Sequence, residues 1–537
     1  MSNNFVLNRL SAQDLLKTPP NPRERVNNPV NLPEPNPVYG VNIHGNRAIM
    51  IKEPAMQTST KAKDMKPAPY TFNPEILREY DIRGQIGKNL SDADAYALGC
   101  AYGTYVRRKM GGNRICLGYD GRASSEGLQK AMTQGLMDVG IDVTRIGLGP
   151  TPMLYFAVKD RGTEAGLMIT GSHNPADYNG FKMALQSGPV YGDAVQEIGK
   201  LAAVGDFESG TGSVTDVDIQ DQYVDRLMRD TKLVAGKEIK IAWDCGNGAA
   251  GEIVRRLTKK LPGTHILMFD EIDGTFPNHH PDPTVDANLV DLIKVVKEQK
   301  CDLGLAFDGD ADRVGAVDEK GEVLRCDNLI TIYARDVLKR HPGATIIGDV
   351  KCSQVMYDEI EKMGGKPLMW KTGHSLIKAK MYELKAPLAG ELSGHIFFGD
   401  GWYGFDDGIY CSVRLIDAVI ESGGTVSALT ENLPHIVNTP EIRFEVDEAT
   451  KFASVAKVVA SVKAQAASDT SITVNDIDGA RVKTPDGWWL LRASNTQNVL
   501  VTRAEAQDEE GLERLKTMVK NEVAKIGYDV VFEQSNH

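Results

Sequence analysis

The sequence has no run of about 18 uninterrupted apolar residues, so it offers no candidate membrane-spanning helix. It is also poor in cysteine, with seven in 537 residues, scattered without a CxxC pair and set beside apolar or small neighbours, as at Cys116 and Cys411. Such a set argues against a disulfide framework or a thiolate zinc site, and favours reduced thiols in a cytoplasmic compartment. Positive charge is short too: Lys+Arg 61 against Asp+Glu 73 leaves a net charge of −12. That disfavours a generic nucleic-acid groove, and an anionic ligand then needs a locally basic site. The stretch from Met1 to Leu16 lacks the basic and then apolar succession of a secretory signal.

What is present is ordinary globular material, 42% hydrophobic and 25% charged, in a length that predicts three to four domains at roughly 150 residues each. Residues 1–70 hold 10 of the 25 prolines. Proline removes backbone donors and blocks helix and central strand, so this segment reads as a proline-rich extended or disordered arm. From Thr71 short apolar runs ending in Asp, Gly or Ser alternate with amphipathic stretches such as Ala93 to Lys109 and Leu128 to Val139, the mark of α/β domains.

A weak repeat underlies that alternation. Ile115 to Asp120, Ile239 to Asp244 and Thr345 to Asp349 are apolar runs that each close on an Asp. Farther along each unit a second run, Leu167 to Ile169, Leu303 to Phe307 or Pro387 to Ala389, opens into a polar, glycine-rich loop. Three similar mixed α/β domains are expected, over residues 71–220, 221–325 and 326–437, each placing one loop where open α/β sheets bind ligands. The remainder, 438–537, reads as a smaller α+β domain, with strands at Glu441 to Val446, Ile472 to Val474, Trp488 to Leu491 and Val499 to Thr502 and helices at Lys451 to Gln465 and Glu509 to Ile526.

The loops carry the chemistry. Asp308-Gly-Asp310-Ala-Asp312-Arg313 spaces three carboxylates by two residues after a strand-like run, a density of oxygen ligands suited to a hard divalent cation. An EF-hand is a poor fit, because Arg313 stands where the turn-making glycine belongs and the flanks read as strands. Magnesium usually shares its shell with phosphate oxygens, which directs attention to Thr170-Gly-Ser172-His173-Asn-Pro175. There a serine follows glycine at a strand end. It is not a hydrolase elbow, since no Gly stands two residues after Ser172, and alone it reads equally as a turn.

Together with Tyr80-Asp-Ile-Arg83-Gly84, Gly390-Glu391-Leu-Ser393-Gly-His395 and Arg492-Ala-Ser494-Asn495-Thr496, these loops resemble, in order and placement, the α-D-phosphohexomutases, and among them the bacterial phosphomannomutase/phosphoglucomutase branch. The resemblance runs from about Tyr80 to near the carboxyl end. It implies a heart-shaped four-domain architecture, and an enzyme that interconverts hexose 6-phosphate and hexose 1-phosphate through phosphoserine at Ser172 and a hexose 1,6-bisphosphate intermediate that also primes the enzyme. It further implies Mg2+ held by Asp308, Asp310, Asp312 and an oxygen of phosphorylated Ser172, with Arg313 beside them. Arg492, Ser494, Asn495 and Thr496 would grip the non-reacting phosphate, and Glu391 and Ser393 the sugar hydroxyls. Tyr80, Arg83, Lys182 and His395 would line the site, with Lys351, Lys371 and His374 adding contacts from the third domain.

Lys182 and His395 are both candidates for the proton-transferring group, and sequence does not rank them. His173 is expected to position and not to activate, because adjacent side chains of an extended chain point oppositely. Where family members usually carry proline this chain has Gln497-Asn498, a departure expected to loosen the phosphate loop. Phosphoglucosamine mutases generally have Gln in place of Leu392 and Ala in place of Gly171, so mannose and glucose phosphates are the expected substrates. A phosphoglucosamine mutase, an aspartyl-phosphate phosphatase and a non-catalytic sugar-phosphate binder are the alternatives. The expected partners are hexose phosphates, with no nucleic acid and no membrane, and the expected state is a monomer or weak homo-oligomer. The fourth domain is expected to swing on a hinge near Pro434 to Glu441.

Overall fold

The computed structural model describes residues 67–233 and 238–532. The proline-rich arm read over residues 1–70 lies outside the described residues up to position 66, but its last four residues join the folded body. Tyr70 donates its hydroxyl to Asp94 at 2.9 Å and its amide to the Ala202 carbonyl. All described residues fall within one compact unit beginning at Lys63, and among them no helix is long and apolar enough to cross a membrane.

The weak repeat becomes a shared topology. In the first sheet, of seven strands, Asp142–Leu148, Arg114–Tyr119 and Ala165–Ile169 run parallel and Tyr178–Leu185 closes antiparallel. The second, of five strands, repeats this with Thr264–Met268, Lys240–Asp244, Leu303–Phe307 and antiparallel Val314–Asp318. The third, of four, does so with Lys366–Trp370, Thr345–Asp349, Leu388–Gly390 and antiparallel Ile396–Phe398. Ala165–Ile169 and Leu303–Phe307 are buried along their whole length, as a central strand covered on both faces must be, which is why they read as continuous apolar runs. In each unit the chain reverses from the third of these strands into the antiparallel one, and there the serine loop, the carboxylate loop and the Glu391 loop lie. Their equivalence follows from topology, since a parallel strand cannot hand over to an antiparallel neighbour without a tight loop at its carboxyl end.

The helix Thr151–Arg161 ties the units together. Every residue from Thr151 to Val158 is buried, as expected of a helix apolar all round. Met153, Leu154 and Phe156 share one core with Trp243, Ile330 and Phe398 of the second and third units. The helix amino terminus thereby meets the carboxylate loop, with the Thr151 amide donating to the Asp310 carbonyl at 2.9 Å.

The carboxy-terminal unit is a six-stranded antiparallel sheet with helices Lys451–Ser468 and Glu509–Ala524 packed against its core. Sequence reading missed its strand Ala480–Thr484, whose alternation is masked because Arg481 is buried. Arg481 stacks 3.6 Å from the Trp488 ring centre and donates to the carbonyls of Val350 and Cys352 in the third unit, while Arg503 donates to that of Lys351. Two arginines thus satisfy three carbonyls that follow the strand Thr345–Asp349. Within the segment expected to act as a hinge, Val437–Asn438 pairs with Val499–Ala506.

Replacing Arg481 by Met keeps an apolar stem over Trp488 but leaves the Val350 and Cys352 carbonyls short of a donor. At about 1–3 kcal/mol for buried groups left unsatisfied, the Arg481→Met transition in scanning calorimetry should come several degrees below that of the parent.

Candidate active site

The serine loop is built around an unusual backbone. Ser172 has φ 49°, a left-handed conformation uncommon for a residue other than glycine and frequent at functional loops. That geometry corrects the expectation for His173. Because the chain is not extended at Ser172, the two side chains do not diverge, and His173 Nδ1 lies 3.1 Å from Ser172 Oγ. Burial first, then Arg313 and Arg83, hold the His173 pKa well below its ordinary value, so this imidazole is neutral.

Ser172 Oγ donates to Asp308 Oδ2 at 3.0 Å across the boundary of the first and second units. Asp308, Asp310 and Asp312 are fully buried, with a carboxylate oxygen from each falling within 4.8 Å of the others. Lys182 reaches Asp310 at 2.7 Å and Asp312 at 2.5 Å. Burial works against its charge, but those carboxylates outweigh it and raise the Lys182 pKa well above its usual value. Burial and the charges of Asp310 and Asp312 push the Asp308 carboxyl well up. For Asp310 burial acts in the same direction but is overcome by Lys182 and by the Thr151 hydroxyl, 2.5 Å from Oδ2, so that its pKa is depressed. Asp310 Oδ1 and Asp312 Oδ1 are buried with no hydrogen-bond partner. Three converging carboxylates with two orphaned oxygens fit a hard divalent cation of oxygen preference.

The third unit brings Glu391, 2% exposed, which accepts from the Gly373 amide at 2.5 Å. Ser393 is half-buried in the same loop. His395 Nε2 accepts from Arg313 Nε at 3.1 Å, joining that loop to the carboxylate loop. Arg83 holds Asn174 of the serine loop at 2.6 Å. Tyr80 donates to the Thr372 carbonyl at 2.8 Å and accepts from Asn495 at 2.5 Å, so one phenol links the first, third and fourth units. Arg492 Nε pairs with Asp478 at 2.9 Å, and Asp478 also accepts from the Thr372 amide. Ser494 Oγ accepts the amides of Thr496 and Gln497 at 3.3 and 3.1 Å.

Not every expected contact is alike. Lys351 is buried and pairs with Glu441 at 3.2 Å, whereas Lys371 is exposed at the rim. His374 stacks on His395 with ring centres 5.2 Å apart. At the departure Gln497-Asn498 the Gln497 side chain accepts from Arg443 at 2.9 Å, its carbonyl from Lys451, and the Asn498 carbonyl from Val446.

Models of the phosphoglucomutase/phosphomannomutase α/β/α domains I, II and III match residues 74–208, 221–321 and 325–436, and that of the C-terminal domain matches 441–522. A phosphomannomutase/phosphoglucomutase of Pseudomonas aeruginosa is 44% identical over 457 residues, 85% of this chain and 97% of that one. This chain belongs to the phosphoglucomutase/phosphomannomutase family. A phosphoglucomutase of Neisseria gonorrhoeae is 42% identical, over 83% of this chain and 96% of its own. The crystal structure of a phosphoglucomutase/phosphomannomutase family protein from Burkholderia thailandensis matches with a TM-score of 0.79 at 42% identity, covering 86% of this chain and all of that one (100%).

Several residues that build this phosphohexomutase site went unnoticed in sequence. Arg122 donates to the carbonyls of Ser172, Asn174, Pro175 and Tyr178 and also to Asp120. One buried guanidinium therefore gathers the turns of the serine loop. A Cβ on Gly171 would stand 2.4 Å from that guanidinium carbon, so any side chain before Ser172 would push Arg122 from its place. Asp120 accepts from the Gly171 amide at 3.1 Å, and Asp349, its counterpart in the third unit, from the Leu392 amide at 3.3 Å. The repeated Asp at strand ends was the available signal: it ties the neighbouring loop to the sheet.

Arg122→Ala should free the loop without unfolding the domain. Amide exchange at Gly171 to Asn179 is expected to quicken about tenfold or more, the scale of losing buried charge-assisted hydrogen bonds. Protection in Arg114–Tyr119 should hold.

Proposed function

We propose that this protein interconverts hexose 1-phosphate and hexose 6-phosphate, with mannose and glucose phosphates as substrates, by passing a phosphoryl group through Ser172. The observation that carries this reading is the meeting of Ser172 Oγ with Asp308 at 3.0 Å, in a cleft that also receives loops from the third and fourth units. Family membership supports the reaction class. Leu392 and the tight seat of Gly171 support mannose and glucose phosphates over glucosamine phosphate.

Asp308, Asp310, Asp312 and an oxygen of phosphorylated Ser172 would hold Mg2+. When bound, that ion supplies charge neutralisation for the transferring group. The chain's own residues supply the rest. Arg492, Ser494, Asn495 and Thr496 offer a guanidinium fork, hydroxyls and amides to the phosphate that does not react, and Glu391 accepts from sugar hydroxyls. The sugar hydroxyl attacks phosphorus as the bond from phosphorus to Ser172 Oγ breaks, the hydroxyl proton passes to His395 Nε2, and the electron pair of the broken bond stays on Ser172 Oγ, which uses it to attack phosphorus in the return step. After the bisphosphate turns end for end, its other phosphate returns to Ser172 Oγ and the proton to the sugar oxygen.

Lys182 is assigned a different part from the one left open by sequence. Held between Asp310 and Asp312, it is a fixed positive charge, while the Nε2 lone pair of His395 can take a proton. The seven buried free cysteines support work in a reducing, cytoplasmic setting.

Incubation with 32P-labelled glucose 1,6-bisphosphate should place label on Ser172, found by mass spectrometry of the peptide, and unlabelled glucose 1-phosphate or mannose 1-phosphate should then remove it. Ser172→Ala should lower turnover by on the order of 10⁴-fold or more, the scale of losing a covalent nucleophile. Failure to transfer label to any hexose phosphate overturns the reading. Chelation should abolish turnover with either sugar, and added Mg2+ should restore it.

A further inference from the structure

His395 is held from both sides, and only one of its partners belongs to the loops that motif reading identifies. Its Nε2 accepts from Arg313 Nε at 3.1 Å. A guanidinium N–H can only donate, so Nε2 carries the lone pair, and in the neutral imidazole the proton sits on Nδ1. Nδ1 lies 3.0 Å from Asp406 Oδ2 and 3.5 Å from Asp312 Oδ1. Neither atom makes a hydrogen bond in the structure, to the other or to any third group, so each is a buried polar atom left to its neighbour. Contacts of this kind commonly tighten when a substrate seats.

Asp406 is fully buried and itself fixed. Its other oxygen accepts from Lys378 Nζ at 2.8 Å. Its backbone bridges to Phe397, next but one to His395 in the chain. His374 Nδ1 lies 3.9 Å away on the same oxygen as His395. The ring of His395 also stacks on His374, at 5.2 Å, and on Phe397, at 6.4 Å between centres. Lys378 balances the charge of Asp406, so the carboxylate can stay ionised without a proton from His395.

We infer that Asp406 is a positioning residue for the mutase reaction: it binds the Nδ1 proton of His395, holding the imidazole in the tautomer whose Nε2 carries the lone pair, which Arg313 occupies here and must yield to the sugar hydroxyl. The inference rests on the assignment of proton transfer to His395 made above. A carboxylate behind a histidine fixes tautomer and ring direction and stabilises the imidazolium formed when the far nitrogen takes a proton. Asp312 cannot serve equally, since it is the more distant acceptor and its other oxygen is engaged by Lys182.

The test combines kinetics with histidine spectroscopy on the full-length enzyme. In Asp406→Asn, kcat should fall between about 10² and 10⁴-fold, while KM for glucose 1-phosphate stays within about threefold, because Asp406 touches no sugar. In the His395→Ala background the same substitution should change kcat less than about threefold, since the two act as a unit; a merely structural aspartate would lower both backgrounds alike. In 15N-histidine-labelled wild-type protein, His395 should show its proton on Nδ1, and Asp406→Asn should shift the population toward Nε2. A wild-type His395 protonated on Nε2 alone overturns the inference without any variant. So does a kcat within twofold of wild type in Asp406→Asn, or a loss of kcat with the tautomer unchanged. If instead His395→Ala leaves turnover intact while the spectra read as expected, the proton-transfer assignment fails and the hold of Asp406 on His395 stands.

Discussion

Three carboxylates buried in one loop, with the Lys182 ammonium and the Arg313 guanidinium, 3.9 Å from Asp308, to balance them, set the terms for everything around the site. Charges a few ångströms apart repel strongly where water is excluded. Lys182 satisfies one oxygen each of Asp310 and Asp312, leaving their partners orphaned and the Asp308 carboxyl pushed well up. Such a cluster has the oxygen donors that a hard cation takes. Thr151, at the head of the most deeply buried helix of the first unit, orients Asp310 from behind. The hydroxyl of Ser172 leans on Asp308 from the front. The serine and the carboxylate cluster are therefore brought together by contact between two domains, not within either.

Rigidity is distributed unevenly around that centre. The serine loop is clamped by Arg122, and Gly309 approaches so closely that a Cβ there would lie 2.4 Å from the Ser172 carbonyl oxygen. The phosphate loop of the fourth unit reaches the first through thinner threads, Tyr80 to Asn495 and Arg78 to the Thr496 carbonyl. Its sheet is anchored to the third unit by Arg481 and Arg503. Lys351 pairs with Glu441 just where the fourth unit begins its strand Ile442–Glu445, so a buried cation of the third unit is tied to the start of the fourth.

The same sheet order, three times over, explains why chemistry recurs at equivalent loops. Asp120 and Asp349 perform one task in two repeats, tying a functional loop to the end of the neighbouring strand. In the second repeat Asp244 binds the Gly246 amide and His279 instead, because the carboxylate loop is supported by the helix Thr151–Arg161. The repeat supplies loops at fixed places, and contacts between repeats decide what each loop does.

Periodicity along the chain determined the alternation of strands and helices and the presence of four units. The reason is that central strands buried on both faces need unbroken apolar runs, and loops that bend sharply need Gly, Asp and Ser. Local spacing likewise marked Ser172, Asp308, Asp310, Asp312 and the Arg492 loop, since ligand density and turn chemistry are short-range properties. What lay beyond it were the buried groups whose work is done across domain boundaries: Arg122 gathering four carbonyls, Arg481 disguising a strand, Thr151 behind Asp310, Asp406 behind His395. The side-by-side setting of Ser172 and His173 came from a left-handed residue that no pattern of neighbours announces. These depend on which surfaces meet, and only the packing of one domain against another decides that.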